Sequence, residues 1–178
     1  MSAWLEILRK KGEDQREDRG LMATLRCYLV ASKKYRAYSA LYRLGISIDS
    51  EPESLAAALY AMHPMHNGSL KNFGTTALLI ERERKKKDNK ITENKNLTPT
   101  ERKFQHLLSA EPGKELHERI IRFVMLARAE EIPINYEQLQ KGLMFWNKRT
   151  RCEWAMEFWK ISKPQSNEDE SQQSGDES

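Results

Sequence analysis

With 178 residues, of which 39% are hydrophobic and 31% charged, the chain is long enough to bury a core without disulfide or metal staples, which excludes a stapled miniprotein. No apolar run approaches membrane-spanning length and the N-terminus has no signal-peptide core, which points to a soluble, cytoplasmic protein. Residues 165–178 hold five acids and no Lys or Arg, so the formal +4 of the whole chain becomes +9 over residues 1–164, a balance suited to a polyanion such as nucleic acid.

The chain reads as a succession of helices, with all six prolines where a helix should start or stop. Trp4, Leu5 and Leu8 predict a short amphipathic helix ending near Gly12. After a charged turn, a helix is predicted over Leu21–Val30 with Leu21, Leu25 and Tyr28 on one face and Arg26 beside it. Tyr35–Leu44 reads as a helix closed by Gly45 in the left-handed conformation. Ser50 with Glu53 has capping-box spacing, and Leu55, Leu59 and Met62 form the inward stripe behind it. His63 and His66 make an HxxH pair in a loop, but no carboxylate or further imidazole lies near in sequence, so a metal site is set aside.

Gly68–Asn72 is a loop carrying Lys71, and it leads into a helix from Phe73 in which Gly74 marks close backbone approach. Residues 81–97 are almost free of apolar side chains and read as a solvated helix end and flexible basic linker; an arm that orders on nucleic acid is the sharper alternative. Thr98, Pro99 and Glu101 supply N-cap, first-turn proline and capping-box acid for a helix with Phe104, Leu107 and Leu108 inward and Arg102 and Lys103 off that face. Pro112-Gly113 makes a turn. Leu116, Ile120, Phe123 and Ala127 then repeat at helical spacing with Arg122 on the far side.

The stretch Ile132–Trp159 holds three of the four tryptophans around a basic centre, Lys148-Arg149-Thr150-Arg151. Pro133 blocks any upstream helix and Asn135 with Gln138 has capping-box spacing. Leu139, Leu143, Trp146, Trp154 and Phe158 continue one stripe, and Phe145 and Trp159 are further rings in need of burial. Lys141, Lys148 and Arg151 fall on another flank if the helix is continuous; the pattern leaves open whether Asn147 divides it. Cys27 and Cys152 read as small buried thiols in a reducing compartment. Past Pro164 the tail is too polar to fold by itself, giving an all-helical domain over 1–163 and an acidic appendage over 164–178. The fold class is all-α, a compact helical bundle built as one body or as two small lobes.

No P-loop, Rossmann glycine pattern, GxSxG or HExxH is present, and the carboxylates are scattered among cations as on solvated helix faces. A nuclease is therefore a weak alternative. A free-standing sequence-specific DNA binder would need a short glycine turn before an exposed recognition helix, and no good candidate is found. What remains is a set of cations at the margins of core helices: Arg26, Lys71, Arg102, Lys103, Arg122, Lys148, Arg149 and Arg151. Placed this way, they suit phosphate contacts that hold a strand without reading its sequence.

Three segments in order, RGLMATLRCYLV through YSALYRLG, NFGTTAL, and TERKFQHLL followed by IPINYEQLQKGLMFWNKRTRCEWAMEFW, resemble the small subunit of the type I-E CRISPR surveillance complex Cascade, the CasB family. Together they cover most of residues 19–161. The resemblance implies an all-α protein without catalytic activity or cofactor, present as two copies along the belly of the complex. Such subunits touch the backbone subunits on the CRISPR RNA and the large subunit, and help stabilise the target and displaced DNA strands of the R-loop. Carried over residue by residue, the family's basic positions fall on Arg26, Arg102 or Lys103, and Lys148 with Arg149. Lys71 sits in the equivalent basic loop, and Arg122 matches across a small gap. The basic stretch 82–95 and the acidic tail stand outside the resemblance.

Overall fold

The computed structural model describes residues 2–11, 17–88 and 96–160, so the acidic tail and the middle of the basic linker lie outside the described residues. Nine α-helices run through these segments: α1 (Ala3–Lys11), α2 (Glu17–Arg26), α3 (Tyr38–Arg43), α4 (Glu51–Met62), α5 (Phe73–Asp88), α6 (Pro99–Leu108), α7 (Lys114–Ala129), α8 (Tyr136–Met144) and α9 (Lys148–Trp159). Two 3-10 stretches, Cys27–Leu29 and Ala31–Ala37, join α2 to α3. The all-α class is as the sequence predicts.

The centre of the first half is α4. Its four alanines make it thin, so neighbours close on every side and Ser54 through Ala61 are all buried, more than the expected stripe of Leu55 and Leu59. It packs against α2 and α8, and α2 in turn touches α1 and α3. The predicted capping box at its start does not form: Ser50 makes no side-chain cap, and Glu53 instead accepts from Gln140 Nε2 at 3.1 Å. Gln140 Oε1 takes the Trp4 indole N–H at 2.9 Å, which ties α1, α4 and α8 into one polar contact beneath the rings.

The second half gathers α5, α6, α7 and α9. Here two glycines make room for one tryptophan. A Cβ on Gly74 would stand 2.0 Å from the Trp154 carbonyl oxygen, so α5 and α9 touch backbone to backbone, as the glycine predicts. A Cβ on Gly142 would stand 2.4 Å from the Trp154 ring, which seats the indole against α8. Phe73, Phe104, Phe123, Trp146 and Phe158 complete the aromatic cluster, and a single connected core runs through both halves.

Several boundaries differ from expectation. The predicted Leu21–Val30 helix starts earlier, at Glu17, and tightens into a 3-10 turn after Arg26; the helix expected from Tyr35 begins as 3-10 and becomes α only at Tyr38, although Gly45 closes it with φ +70°. The solvated helix end expected within residues 81–97 runs to Asp88, with Arg84 and Lys87 both reaching Glu130 at the end of α7. The two loop histidines have structural roles: His63 Nε2 lies 2.7 Å from the Ile132 carbonyl, and His66 Nδ1 accepts from Tyr136 N at 3.3 Å. The Thr98 capping box forms with both reciprocal bonds.

Candidate nucleic-acid interface

The eight predicted cations separate into local groups. At the end of α2, Arg26 lines a cleft of about 870 Å3 together with Arg19 and Arg128, over a floor that includes Met22, Tyr60 and Met62. Among the described residues, Glu131 is the one acid in its lining, and Arg19, Arg26 and Arg128 pair with no carboxylate. Arg19 and Arg128 escaped the sequence reading. Arg19 was findable, since it lies on α2 seven residues before Arg26; Arg128 comes from α7, far away in the chain.

The α6–α7 hairpin holds a second group. Arg119 on α7 donates to the His106 carbonyl on α6, and the Phe104 and Phe123 rings meet edge to face. This antiparallel register puts Lys103 and Arg122 at one level of the hairpin, with Arg102 one residue away, and all three are exposed.

A third group follows α9. Its first turn carries no acid but has Lys148 and Arg149, both exposed. Cations at a helix N-terminus add to the positive end of the helix dipole, an arrangement that lowers stability slightly and strengthens the pull on an anion. Arg149 donates to Glu153 at 2.9 Å, and Lys71 from the loop before α5 donates to Glu157 at 2.9 Å. Glu157 also takes Lys160, and Lys160 and Lys71 together hold its carboxyl below the usual range against the opposing effect of burial. Arg149, Glu153, Glu157 and Lys71 thus form one laced edge. These exposed pairs are each worth about 0–1 kcal/mol, so a phosphate can replace them at small cost.

Arg151 stands apart from the other seven. It is turned inward, donating to the Ala110 carbonyl at 3.0 Å while its guanidinium lies 5.4 Å from the centroid of the Trp146 ring. Trp146 Nε1 donates to the same carbonyl at 3.0 Å, so Arg151 serves the core. Asn147 caps a separate α9, which dissolves the expected flank of Lys141, Lys148 and Arg151. Phe145, expected in the core, is 56% exposed at this break, and Cys152 is exposed while Cys27 is half-buried; both thiols are free. Among the described residues no three of His, Cys, Asp and Glu stand close enough to hold a metal ion, and no helix is long and apolar enough to cross a membrane.

Among the described residues, nine helices gather around one core with unpaired or lightly paired cations exposed at their margins, which makes this an all-α protein. The sequence pattern of the family described as "CRISPR-associated protein Cse2" matches residues 1–159, and the chain belongs to that family. Among solved structures it is similar to CasB from Thermus thermophilus (TM-score 0.65, 20% identity, 89% of this chain and 96% of that one). It is also similar to a CRISPR-associated protein of the Cse2 family from the same species (TM-score 0.64, 22% identity, 89% and 96%). CasB from M. ruber has the same fold at 18% identity (TM-score 0.61, 90% and 94%). At these identities the likenesses establish the fold. No curated protein matches the chain.

Proposed function

We propose that this protein is the small, non-catalytic subunit of a type I-E Cascade, in which it holds nucleic-acid backbone and stabilises the R-loop during antiviral defence. The observation that carries the reading is the match to the Cse2 family over residues 1–159, on a chain whose Arg26, Lys71, Arg102, Lys103, Arg122, Lys148 and Arg149 are all exposed. Guide-directed recognition leaves sequence to base pairing and asks protein for backbone contacts, which exposed Lys and Arg provide. Its partners on this reading are the CRISPR RNA with the target and displaced strands, the backbone and large subunits, and a second copy of itself. The cytoplasm is the compartment that fits.

The experiment is a salt titration of single-strand binding by the assembled complex. Replacing Arg102, Lys103 and Arg122 by Ala should lower the log–log slope by about 0.7 for each phosphate that is no longer neutralised. Slope and affinity both equal to wild type would remove the hairpin from the interface, and failure of the chain to co-purify with the other subunits would overturn the assignment.

A further inference from the structure

The segment joining α2 to α4 has a composition of its own. From Arg19 to Ile48 there is no Asp or Glu, while Arg19, Arg26, Lys33, Lys34, Arg36 and Arg43 all fall within it. Tyr35 and Tyr42, 77% and 81% exposed, are the most exposed large hydrophobic residues among those described. Neither position contributes to the core, and an exposed ring costs solubility unless something covers it.

Backbone geometry sorts this segment into three rows. Successive residues turn by about 120° in a 3-10 helix and about 100° in an α-helix. Three residues within Ala31–Ala37 therefore return to one bearing, which aligns Lys33 with Arg36 and leads from Tyr35 to Tyr38. Four residues within α3 then bring Tyr42 into line with Tyr38. Burial follows these rows. Ala37, Ala40, Leu41 and Leu44 are inside. Tyr35, Tyr38 and Tyr42 form a second row, with Tyr38 half-buried and its ring edge-on to Tyr35 at 5.5 Å. Lys33, Arg36 and Arg43 form the third, all exposed and without a carboxylate partner among the described residues. Lys34 is not available to a ligand in the same way, since it lies 4.7 Å from the Tyr28 ring centroid and bonds to Glu51.

We propose that this segment is a stacking platform for a single nucleic-acid strand: Tyr35 and Tyr42 take the faces of unpaired bases, and Lys33, Arg36 and Arg43 take the phosphates beside them. Aromatic side chains flanked by cations hold single strands in this manner without reading sequence, because every base has a π-face. With rises of about 2.0 Å per 3-10 residue and 1.5 Å per α residue, the two rings are about 12 Å apart along the segment, or three to four stacked nucleotides at about 3.4 Å each. A duplex offers no base face to an exposed tyrosine. Tyrosine and arginine also suit protein interfaces; the lack of any Asp or Glu from Arg19 to Ile48 favours a polyanion over a protein here. The proposal rests on the reading that the chain contacts nucleic acid, and adds base contacts to a set otherwise limited to phosphates.

The test measures binding of the full chain, alone and in the assembled complex, to a labelled oligothymidine and to an abasic strand of equal length. Wild type should prefer the strand that has bases. Tyr35→Ala/Tyr42→Ala should weaken oligothymidine binding by roughly 5- to 150-fold per missing stack, leave abasic binding and the salt slope unchanged, and be rescued by Tyr35→Phe/Tyr42→Phe. Lys33→Gln/Arg36→Gln/Arg43→Gln should lower the salt slope on both strands by about 0.7 per phosphate. Wild-type binding by the Tyr→Ala pair, with Arg102→Ala/Lys103→Ala still weakened, overturns the platform and leaves the proposed function standing. Loss of subunit assembly in the Tyr→Ala pair overturns it in favour of a protein-docking face. No strand binding by wild type in either setting overturns both readings.

Discussion

Replacing Gly74 by Ala tests the close approach of α5 and α9 inside the second half of the protein. The added Cβ would meet the Trp154 carbonyl oxygen at 2.0 Å and the carbonyl carbon at 2.8 Å. Both are backbone atoms of α9, so no rotamer change relieves the overlap; the helix must withdraw by more than an ångström, and with it the indole seated on Gly142. Overpacking of a closed core costs about 1–3 kcal/mol, and a backbone clash belongs at the upper end. Alanine's better helix propensity returns at most about 0.5–1 kcal/mol near the start of α5. The net loss should be about 2 kcal/mol, a fall of roughly 4–8 °C in Tm for a domain of this size. Gly20→Ala in α2 is the control, because a Cβ there meets nothing within 4 Å. It should gain up to about 1 kcal/mol from the same chemical change. Thermal and denaturant unfolding of both variants check the pair. A Gly74→Ala protein within about 0.5 kcal/mol of wild type would refute the close approach of α5 and α9.

Trp146→Ala should cost about 3–5 kcal/mol, since a buried indole and its bond to Ala110 are lost together, whereas Arg149→Ala, whose side chain is 88% exposed, should stay within about 0.5 kcal/mol. Chemical denaturation separates the two. Thr98→Ala removes the side-chain acceptor that holds Glu101 N and should lower stability by about 0.5–2 kcal/mol; Thr98→Ser, which keeps the oxygen, should restore most of it. Stability should also fall in mild acid. Burial, then Arg9, depresses His66, with Glu137 and the Ile134 backbone opposing, and burial depresses His117, with Lys34 adding to it and Glu51 opposing. The unfolded chain therefore takes these protons first, so stability is full above the ordinary value near 6.5 and is lost as pH drops below it. Denaturant midpoints from pH 7.5 to 5 should show this slope, and His66→Gln/His117→Gln should flatten it.

Local chemistry made much of the fold legible in the sequence. The Thr98–Glu101 box, the Asn135 cap, the left-handed Gly45 and the stripes of α6, α7 and α8 depend on neighbours a few residues apart, so local spacing determines them, whereas the Asn147 cap that starts α9 was left open by the pattern. Gly74 could be read as a close approach because a glycine inside a helix is otherwise a cost, but its partner Trp154 could not be read at all. Partner choice is where tertiary structure decided. Glu53 had the spacing of a cap and went to Gln140; Arg151 had the spacing of a surface cation and turned under Trp146 to the Ala110 carbonyl. Arg84 and Lys87 lie where a helix end passes into a linker, and both went to Glu130. In each case the partner comes from more than forty residues away in the chain, so only packing brings it near and local spacing cannot name it. The same holds for the cleft of Arg19, Arg26 and Arg128: periodicity puts a cation on a face, but only the fold brings residues of α2 and α7 around one opening.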